Sequence, residues 1–171
     1  DVGKDYLIDV SKIYKEINSR TKAIIPVHLY GQICDMTSIL KIAKKNKIKV
    51  IEDCAQSQGS SYKNKYAGTI GDLGCFSFYP TKILGAYSDG GFIFTNDFEI
   101  FKKIKRLRFY GIETIEKKKF KNKYYSFENG YNSRLDEIQA SILNFKLKKV
   151  NSFIKKRRAL AKVYTKELSS T

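Results

Sequence analysis

The chain has 171 residues, of which 42% are hydrophobic and 13% aromatic, so it can bury the core of one domain and is not disordered as a whole. Its 33 Lys and Arg residues outnumber its 17 Asp and Glu residues, which gives a formal net charge of +16. No window approaches the roughly 18 consecutive apolar residues that a membrane span needs, and residues 1–10 lack the basic and then apolar order of a secretory signal. These features predict a soluble protein with no membrane partner.

Residues 22–28 form an apolar run with β-branched side chains, which predicts a strand. Residues 35–47 place apolar side chains on one helical face, and residues 47–52 predict a buried strand. A strand, a helix and a strand within about 30 residues indicate a βαβ unit, and therefore a parallel sheet with a right-handed crossover.

Two more strands are predicted at residues 74–79 and 92–95, followed by helical spacing from Ile100 to Leu107. Residues 111–130 are rich in lysine and aromatic side chains and predict an irregular loop. Ser133 and Asp136 resemble a capping box, which predicts a helix from Arg134 to about Val150. A charged amphipathic segment ends the chain. The predicted fold is therefore α/β, with a mostly parallel sheet flanked by helices.

The cysteines and the histidine limit the kinds of site. Cys34, Cys54 and Cys75 are odd in number and lack CxxC spacing, which argues against a disulfide framework and against a thiolate zinc site. His28 is the only histidine, so a multi-histidine metal site is excluded, and we expect His28 to be a hydrogen-bonded core residue. We expect no metal, and a reducing cytoplasm fits these features best.

The positive charge lies mostly in the second part of the chain. Residues 1–101 contain 13 basic and 11 acidic side chains, whereas residues 102–171 contain 20 and 6. A strongly basic region can bind nucleic acid, because neutralised phosphates release counterions. The lysines and aromatics of residues 117–125 suit single-stranded nucleic acid or a nucleotide diphosphate, although a solvated loop is the plainer interpretation.

Lys82 is the only basic residue between Tyr66 and Phe101. An apolar, glycine-rich stretch after a strand favours the neutral and nucleophilic form of an amine, because burial penalises its charged form. Schiff-base chemistry requires such an amine. The alternative is a lysine that snorkels from the end of a strand, and spacing alone does not separate these two interpretations.

Asp53 follows the apolar run of the second predicted strand. Open α/β sheets bind ligands at the carboxyl ends of their parallel strands. A carboxylate at that edge can keep the pyridine nitrogen of a cofactor protonated, which makes the ring an electron sink. The alternative is a carboxylate that caps a helix or a turn.

Three motifs around these two residues occur together in one enzyme family. They are residues 53–56 (DCAQ), 77–82 (SFYPTK) and 89–91 (DGG). In this order they resemble the core of the pyridoxal-phosphate-dependent nucleotide-sugar aminotransferases of the DegT/DnrJ/StrS type, which have the fold-type-I large domain. Further matching motifs cover most of the chain, at residues 26–32, 35–36, 71–72, 95–97, 107–111 and 130–137.

The resemblance implies roles for five residues. Lys82 would bind pyridoxal phosphate covalently and later shuttle a proton between the cofactor and the sugar. Asp53 would pair with the pyridinium nitrogen, Gln56 would lie beside the ring hydroxyl, and Ser77 would bind the phosphate. Asn132 would reach the phosphate of the neighbouring subunit's cofactor, which implies a homodimer with shared active sites. The structural alternatives are a strand-lining Ser77, a loop-capping Gln56 and a helix-capping Asn132.

The family's chains are longer than 171 residues. They have an upstream segment with a Gly-Thr phosphate-binding turn and a ring-stacking aromatic, and a downstream small domain, and we find neither in this sequence. The only methionine is Met36. We therefore expect residues 1–150 to be an incomplete cofactor-binding large domain and residues 151–171 to begin a connecting helix.

The predicted function is transfer of an amino group from an amino acid, glutamate by expectation, to a keto sugar carried on a nucleotide diphosphate. Sugar dehydratases of this family have histidine at the position of Lys82, which disfavours that branch, and Gln56 favours a 3-keto over a 4-keto substrate weakly. The alternatives are a non-catalytic regulatory or binding domain of the same fold and a basic nucleic-acid-binding protein.

Overall fold

The computed structural model describes residues 1–113 and 125–169. The strands are β1 (Ala23–Ile24), β2 (Lys49–Asp53), β3 (Ser61–Tyr62), β4 (Lys65–Tyr66), β5 (Leu73–Ser77) and β6 (Gly91–Phe94). A four-stranded sheet has the order β1-β2-β5-β6, and a separate two-stranded hairpin consists of β3 and β4. Strands β1, β2 and β5 are parallel, and β6 is antiparallel to β5. The predicted α/β fold with a mostly parallel sheet is confirmed.

Five α-helices accompany the sheet in the described part of the chain. They are α1 (Val10–Glu16), α2 (Met36–Asn46), α3 (Phe98–Leu107), α4 (Glu137–Leu147) and α5 (Val150–Leu168). Aspartates start α2, α3 and α4, because the carboxylates of Asp35, Asp97 and Asp136 accept backbone N–H groups of the first turn. None of these helices is long and apolar enough to cross a bilayer.

The core lies where α1 and α2 cover β1 and β2. Leu7 and Ile13 on one side meet Met36 and Ile39 of α2, and Val50 of β2 is fully buried beneath them. The residues from α2 fall at the spacing of one helical face, which is why the sequence pattern predicted this helix correctly.

Two predicted boundaries are wrong for local reasons. The first strand is two residues long, because Pro26 has no N–H for the ladder, although Pro26 O still accepts the N–H of Asp53 at 2.9 Å. Helix α4 begins at Glu137 rather than at Arg134, because Asp136 itself is the cap and accepts from Ile138 N at 2.9 Å. Ser133 therefore forms no capping box with Asp136.

The last two helices expose large apolar side chains. Ile138 and Phe145 of α4 are 69% and 62% exposed, and Leu160 and Tyr164 of α5 are 61% and 68% exposed. Exposed apolar side chains of this kind favour association, because contact removes them from water.

We expect the 171-residue segment, purified without other sequence, to self-associate through α4 and α5. Size-exclusion chromatography with light scattering would measure this, and replacing Leu160 and Tyr164 with Glu should shift the population toward monomer. A matched Lys156→Glu variant should not, because it removes no apolar surface. A monodisperse monomer of the unmodified segment would contradict this expectation.

Candidate functional site

The carboxyl ends of two neighbouring parallel strands form the site. Asp53 is the last residue of β2 and Ser77 the last of β5, and Asp53 pairs with Cys75 in the register of these strands. Lys82 follows five residues after β5. The structure thus brings the predicted Asp53, Ser77 and Lys82 to one edge of the sheet, where open α/β sheets bind ligands.

Backbone hydrogen bonds and one of the two carboxylate oxygens hold Asp53 in place. Its N–H donates to Pro26 O, its carbonyl accepts from His28 N at 3.0 Å, and its Oδ1 accepts from Ala55 N at 3.0 Å. The side chain therefore caps a turn, which was the structural alternative. Its Oδ2 accepts no hydrogen bond from the described residues, so one carboxylate oxygen remains available for a protonated nitrogen.

Glu52, the residue before Asp53, anchors this edge from the other face of the strand. It is fully buried, and its carboxylate accepts from His28 Nε2 at 3.0 Å and from the backbone N–H groups of Gly68, Ile70 and Gly71 at 2.9, 2.7 and 2.6 Å. Burial alone would raise the pKa of Glu52, but these four donors outweigh it and hold the pKa below its ordinary value.

His28 has both ring nitrogens engaged in the same network. Its Nδ1 accepts from Cys34 N at 3.3 Å, so the ring proton lies on Nε2 and is donated to Glu52. The prediction of a hydrogen-bonded core histidine is confirmed. Glu52 was not predicted from the sequence, although a glutamate inside an apolar strand needs several hydrogen-bond donors and is itself a signal of such a network.

Cys54 lies with His28 and Glu52 in a cluster whose ligand atoms are within 4.8 Å of one another. Burial raises the pKa of the Cys54 thiol to about 12, so the sulfur stays protonated near neutral pH. The possible ligand atoms of His28 and Glu52 already form hydrogen bonds with each other and with backbone N–H groups. This cluster is therefore a hydrogen-bond network that holds the end of the strand in place.

Lys82 lies between two open cavities. One, of about 540 Å³, is also lined by Gln56 and Tyr30, and the other, of about 1090 Å³, is also lined by Ser77 and Asn132. The side chain is partly buried, and its amine forms no hydrogen bond or ion pair with the described residues. The amine is therefore accessible to a ligand that enters either cavity.

Gln58, which was also not predicted from the sequence, ties the turn that carries Lys82 to the neighbouring strand. Gln58 is buried, its Nε2 donates to Ser77 O at 2.6 Å, and its Oε1 accepts from Leu84 N at 2.7 Å. Ser77 Oγ in turn accepts from Tyr79 N at 3.2 Å. The hydroxyl proton of Ser77 stays available to an anion in the larger cavity.

Gln56 and Asn132 line different cavities, each of which Lys82 also lines. Gln56 Oε1 accepts from Tyr30 N at 3.0 Å, so Gln56 does cap a loop while its Nε2 has no partner among the described residues. Asn132 Oδ1 accepts from Arg134 Nε at 3.2 Å. The helix-capping alternative for Asn132 is wrong, because Asp136 caps α4.

The predicted basic loop lies mostly outside the described residues. Its lysines, at positions 117 to 123, fall in the gap between residues 113 and 125.

The described part of the site combines three groups at one strand edge: an amine without a partner, a carboxylate with one free oxygen, and a hydroxyl. These groups fit a ligand that has a carbonyl carbon, a basic ring nitrogen and an anionic group.

Comparison with known proteins agrees with this chemistry. The sequence profile of the DegT/DnrJ/EryC1/StrS aminotransferase family matches residues 1–171. A dTDP-3-amino-3,6-dideoxy-alpha-D-galactopyranose transaminase from Aneurinibacillus thermoaerophilus is 50% identical over 96% of this chain, and the match covers 43% of that protein. The chain thus spans about two fifths of the length of the curated relatives it matches.

Solved structures show the same arrangement of the chain. A DegT DnrJ EryC1 StrS aminotransferase from Brucella abortus superposes on 99% of this chain with a TM-score of 0.89 and 36% identity, over 46% of its own length. The Bacillus subtilis protein NtdA, solved with bound cofactor PMP, covers 96% of this chain with a TM-score of 0.82 and 37% identity, over 36% of its own length.

Proposed function

Because this chain belongs to the DegT/DnrJ/EryC1/StrS aminotransferase family, we propose that the full-length protein transfers an amino group to a keto sugar carried on a nucleotide diphosphate. Pyridoxal phosphate is the cofactor, and an amino acid, glutamate by expectation, is the donor. The observation that carries this proposal is the position of Lys82, whose unpaired amine borders two cavities next to the strand ends that carry Asp53 and Ser77.

The side chains at the strand edge carry chemical groups that match the parts of this cofactor. When bound, pyridoxal phosphate supplies an electron sink for the carbon that loses a proton. Lys82 Nζ would hold the cofactor and would then move a proton between the cofactor carbon and the substrate carbon. Asp53 Oδ2 would keep the ring nitrogen protonated, and Ser77 Oγ would donate a hydrogen bond to the phosphate. Gln56 would serve the ring hydroxyl, with Nε2 as its free donor.

The proposal extends to substrate and assembly. The Aneurinibacillus relative is named for a 3-amino sugar, which agrees with the preference for a 3-keto substrate. Asn132 would complete the site of a neighbouring subunit, so that the working unit is a homodimer in the cytoplasm. Residues 151–171, most of which form α5, would connect to a small domain.

The direct test supplies the full-length protein with pyridoxal phosphate, glutamate and a panel of dTDP- and UDP-linked 3-keto and 4-keto sugars. Mass spectrometry should detect an amino sugar together with 2-oxoglutarate in equal amounts. A protein that binds pyridoxal phosphate but converts none of these substrates would favour the non-catalytic alternative. Tight, sequence-selective binding of nucleic acid at physiological salt would favour the nucleic-acid alternative.

Asp53→Asn should retain part of the cofactor but lose most of the first half-reaction, the conversion of glutamate to 2-oxoglutarate. The amide keeps the shape of the side chain and the oxygen that Ala55 N needs, but it removes the charge that stabilises a protonated ring nitrogen. We expect about a 10²-fold or greater loss, measured by single-turnover absorbance.

Asp89→Asn is a matched control for this variant, because Asp89 is an exposed acid that lines the larger cavity and has no proposed role in proton transfer. It should leave the half-reaction within about threefold of wild type. Near-normal turnover of the Asp53→Asn protein would contradict the role given to Asp53.

A further inference from the structure

Two arginines of α5 border the smaller cavity beside Lys82. Arg157 and Arg158 line it together with Ile154 and Ala161, and these residues share one face of α5 because they are spaced three, four and seven apart. The turn at Tyr30 and the loop around Gln56 also line this cavity. The function proposed above assigns no role to the arginines or to Tyr30.

The helix is packed close to the loop that carries Gln56. Gly59 has a φ of +81°, and a Cβ atom at this position would lie 2.4 Å from Ile154 Cδ1. A side chain there would be strained by its backbone and would push against α5. The absence of a side chain at Gly59 therefore lets α5 approach, one helical turn before the arginines.

The charge of the cavity is entirely positive. Arg157, Arg158 and Lys82 are its ionisable cations, and its described lining includes no Asp or Glu. Neither arginine forms a hydrogen bond or an ion pair with the described residues. Cations without partners on the wall of a concave site attract an anion, and the guanidinium fork matches carboxylate and phosphate oxygens in geometry.

Tyr30 stands at the rim in an uncommon conformation. Its φ is +56°, in the left-handed region, and its side chain is 83% exposed. The bond from Tyr30 N to Gln56 Oε1 holds this conformation. Bulky residues rarely adopt it, and it is found mainly where the surrounding structure and a functional need maintain it.

We propose that Arg157, Arg158 and Tyr30 form a substrate subsite for an oxyanion, with the guanidinium groups as ligands and the tyrosine ring as a wall. This inference rests on the proposed function, because it takes the cavity to be the substrate side of Lys82. Two substrates carry a suitable oxyanion, namely the side-chain carboxylate of the amino donor and the diphosphate of the nucleotide sugar. The subsite recognises the negatively charged oxygens that both of these groups carry.

The test uses unreactive ligands, so that it does not depend on turnover. Glutarate stands for the donor and dTDP or UDP for the nucleotide, and calorimetry measures the affinity of each for the full-length protein. The Arg157→Gln, Arg158→Gln double variant should bind at least one of these ligands about tenfold or more weakly. Loss for glutarate alone assigns the donor carboxylate, loss for the nucleotides alone assigns the diphosphate, and loss for both assigns a shared subsite.

Lys156→Gln is the matched control, because Lys156 lies on α5 but does not line the cavity. The inference is overturned if the double variant binds all three ligands like the wild type, or if Lys156→Gln weakens binding equally. It is also overturned if the double variant fails to load pyridoxal phosphate, since the arginines would then serve the cofactor. If the proposed function itself is wrong, the wild-type protein will carry no cofactor on Lys82. This result differs from a failure of the subsite, in which the wild-type protein still carries the cofactor.

Discussion

Lys82→Ala should abolish amino transfer by the full-length protein, with a loss of about 10³-fold or more. The variant removes the single amine that binds the cofactor and moves the proton. Borohydride reduction of the wild-type protein with pyridoxal phosphate should add the cofactor to the peptide that contains Lys82. Peptide mass spectrometry and an amino-sugar assay would measure both effects.

Two further variants give this prediction its control. Lys82→Arg keeps the positive charge but cannot act as a nucleophile at neutral pH, so it should be as inactive as alanine. Lys105→Ala removes a lysine that also lines the larger cavity, and it should keep most of the activity. Reductive labelling elsewhere, with an unchanged cofactor spectrum in Lys82→Ala, would show that Lys82 has been misassigned.

Glu52→Gln should lower the free energy of unfolding of the full-length protein by about 3 kcal/mol. The amide of glutamine has one acceptor oxygen, whereas the carboxylate serves His28 and three backbone N–H groups from both of its oxygens. At least one buried donor must therefore lose its partner. Urea denaturation followed by circular dichroism would measure the change.

Glu99→Gln is the matched control for Glu52→Gln. Glu99 pairs with Lys102 on the surface of α3, and its side chain is 77% exposed. Solvent screens such a pair, so its removal should change stability by less than about 1 kcal/mol. Equal effects of the two substitutions would mean that the buried network contributes no more than a surface ion pair.

The same pair of proteins should differ in the pH dependence of stability. The pKa of Glu52 is lowered in the folded protein, from an ordinary value of 4.5. Its contribution is therefore complete above the pKa of the unfolded state, and it is lost as pH falls through the lower pKa of the folded state. The wild-type protein should lose its stability advantage over Glu52→Gln below about pH 4.5, and a constant difference down to the lowest pH would contradict this.

The strand, helix and strand at residues 22–52 could be predicted because each depends on local sequence. The helical face of α2 and the apolar run of β2 are periodic patterns that read directly from the chain. Asp53 and Lys82 were candidates for the same reason, since one ends a strand and the other is isolated among apolar residues. The boundary errors at Pro26 and Asp136 arose where one backbone or side-chain hydrogen bond decided the end of an element.

By itself the sequence determined the alternation of strands and helices and the residue types at the ends of β2 and β5, because short-range periodicity specifies these. Only the tertiary structure decided which distant groups meet. Glu52 accepts hydrogen bonds from residues 28, 68, 70 and 71. Gln58 bridges to Ser77 and Leu84, and Arg157 lines the cavity of Lys82 although it is 75 positions away in the sequence. Such contacts have no periodic signal, because the packing of α5 and the order of the strands create them.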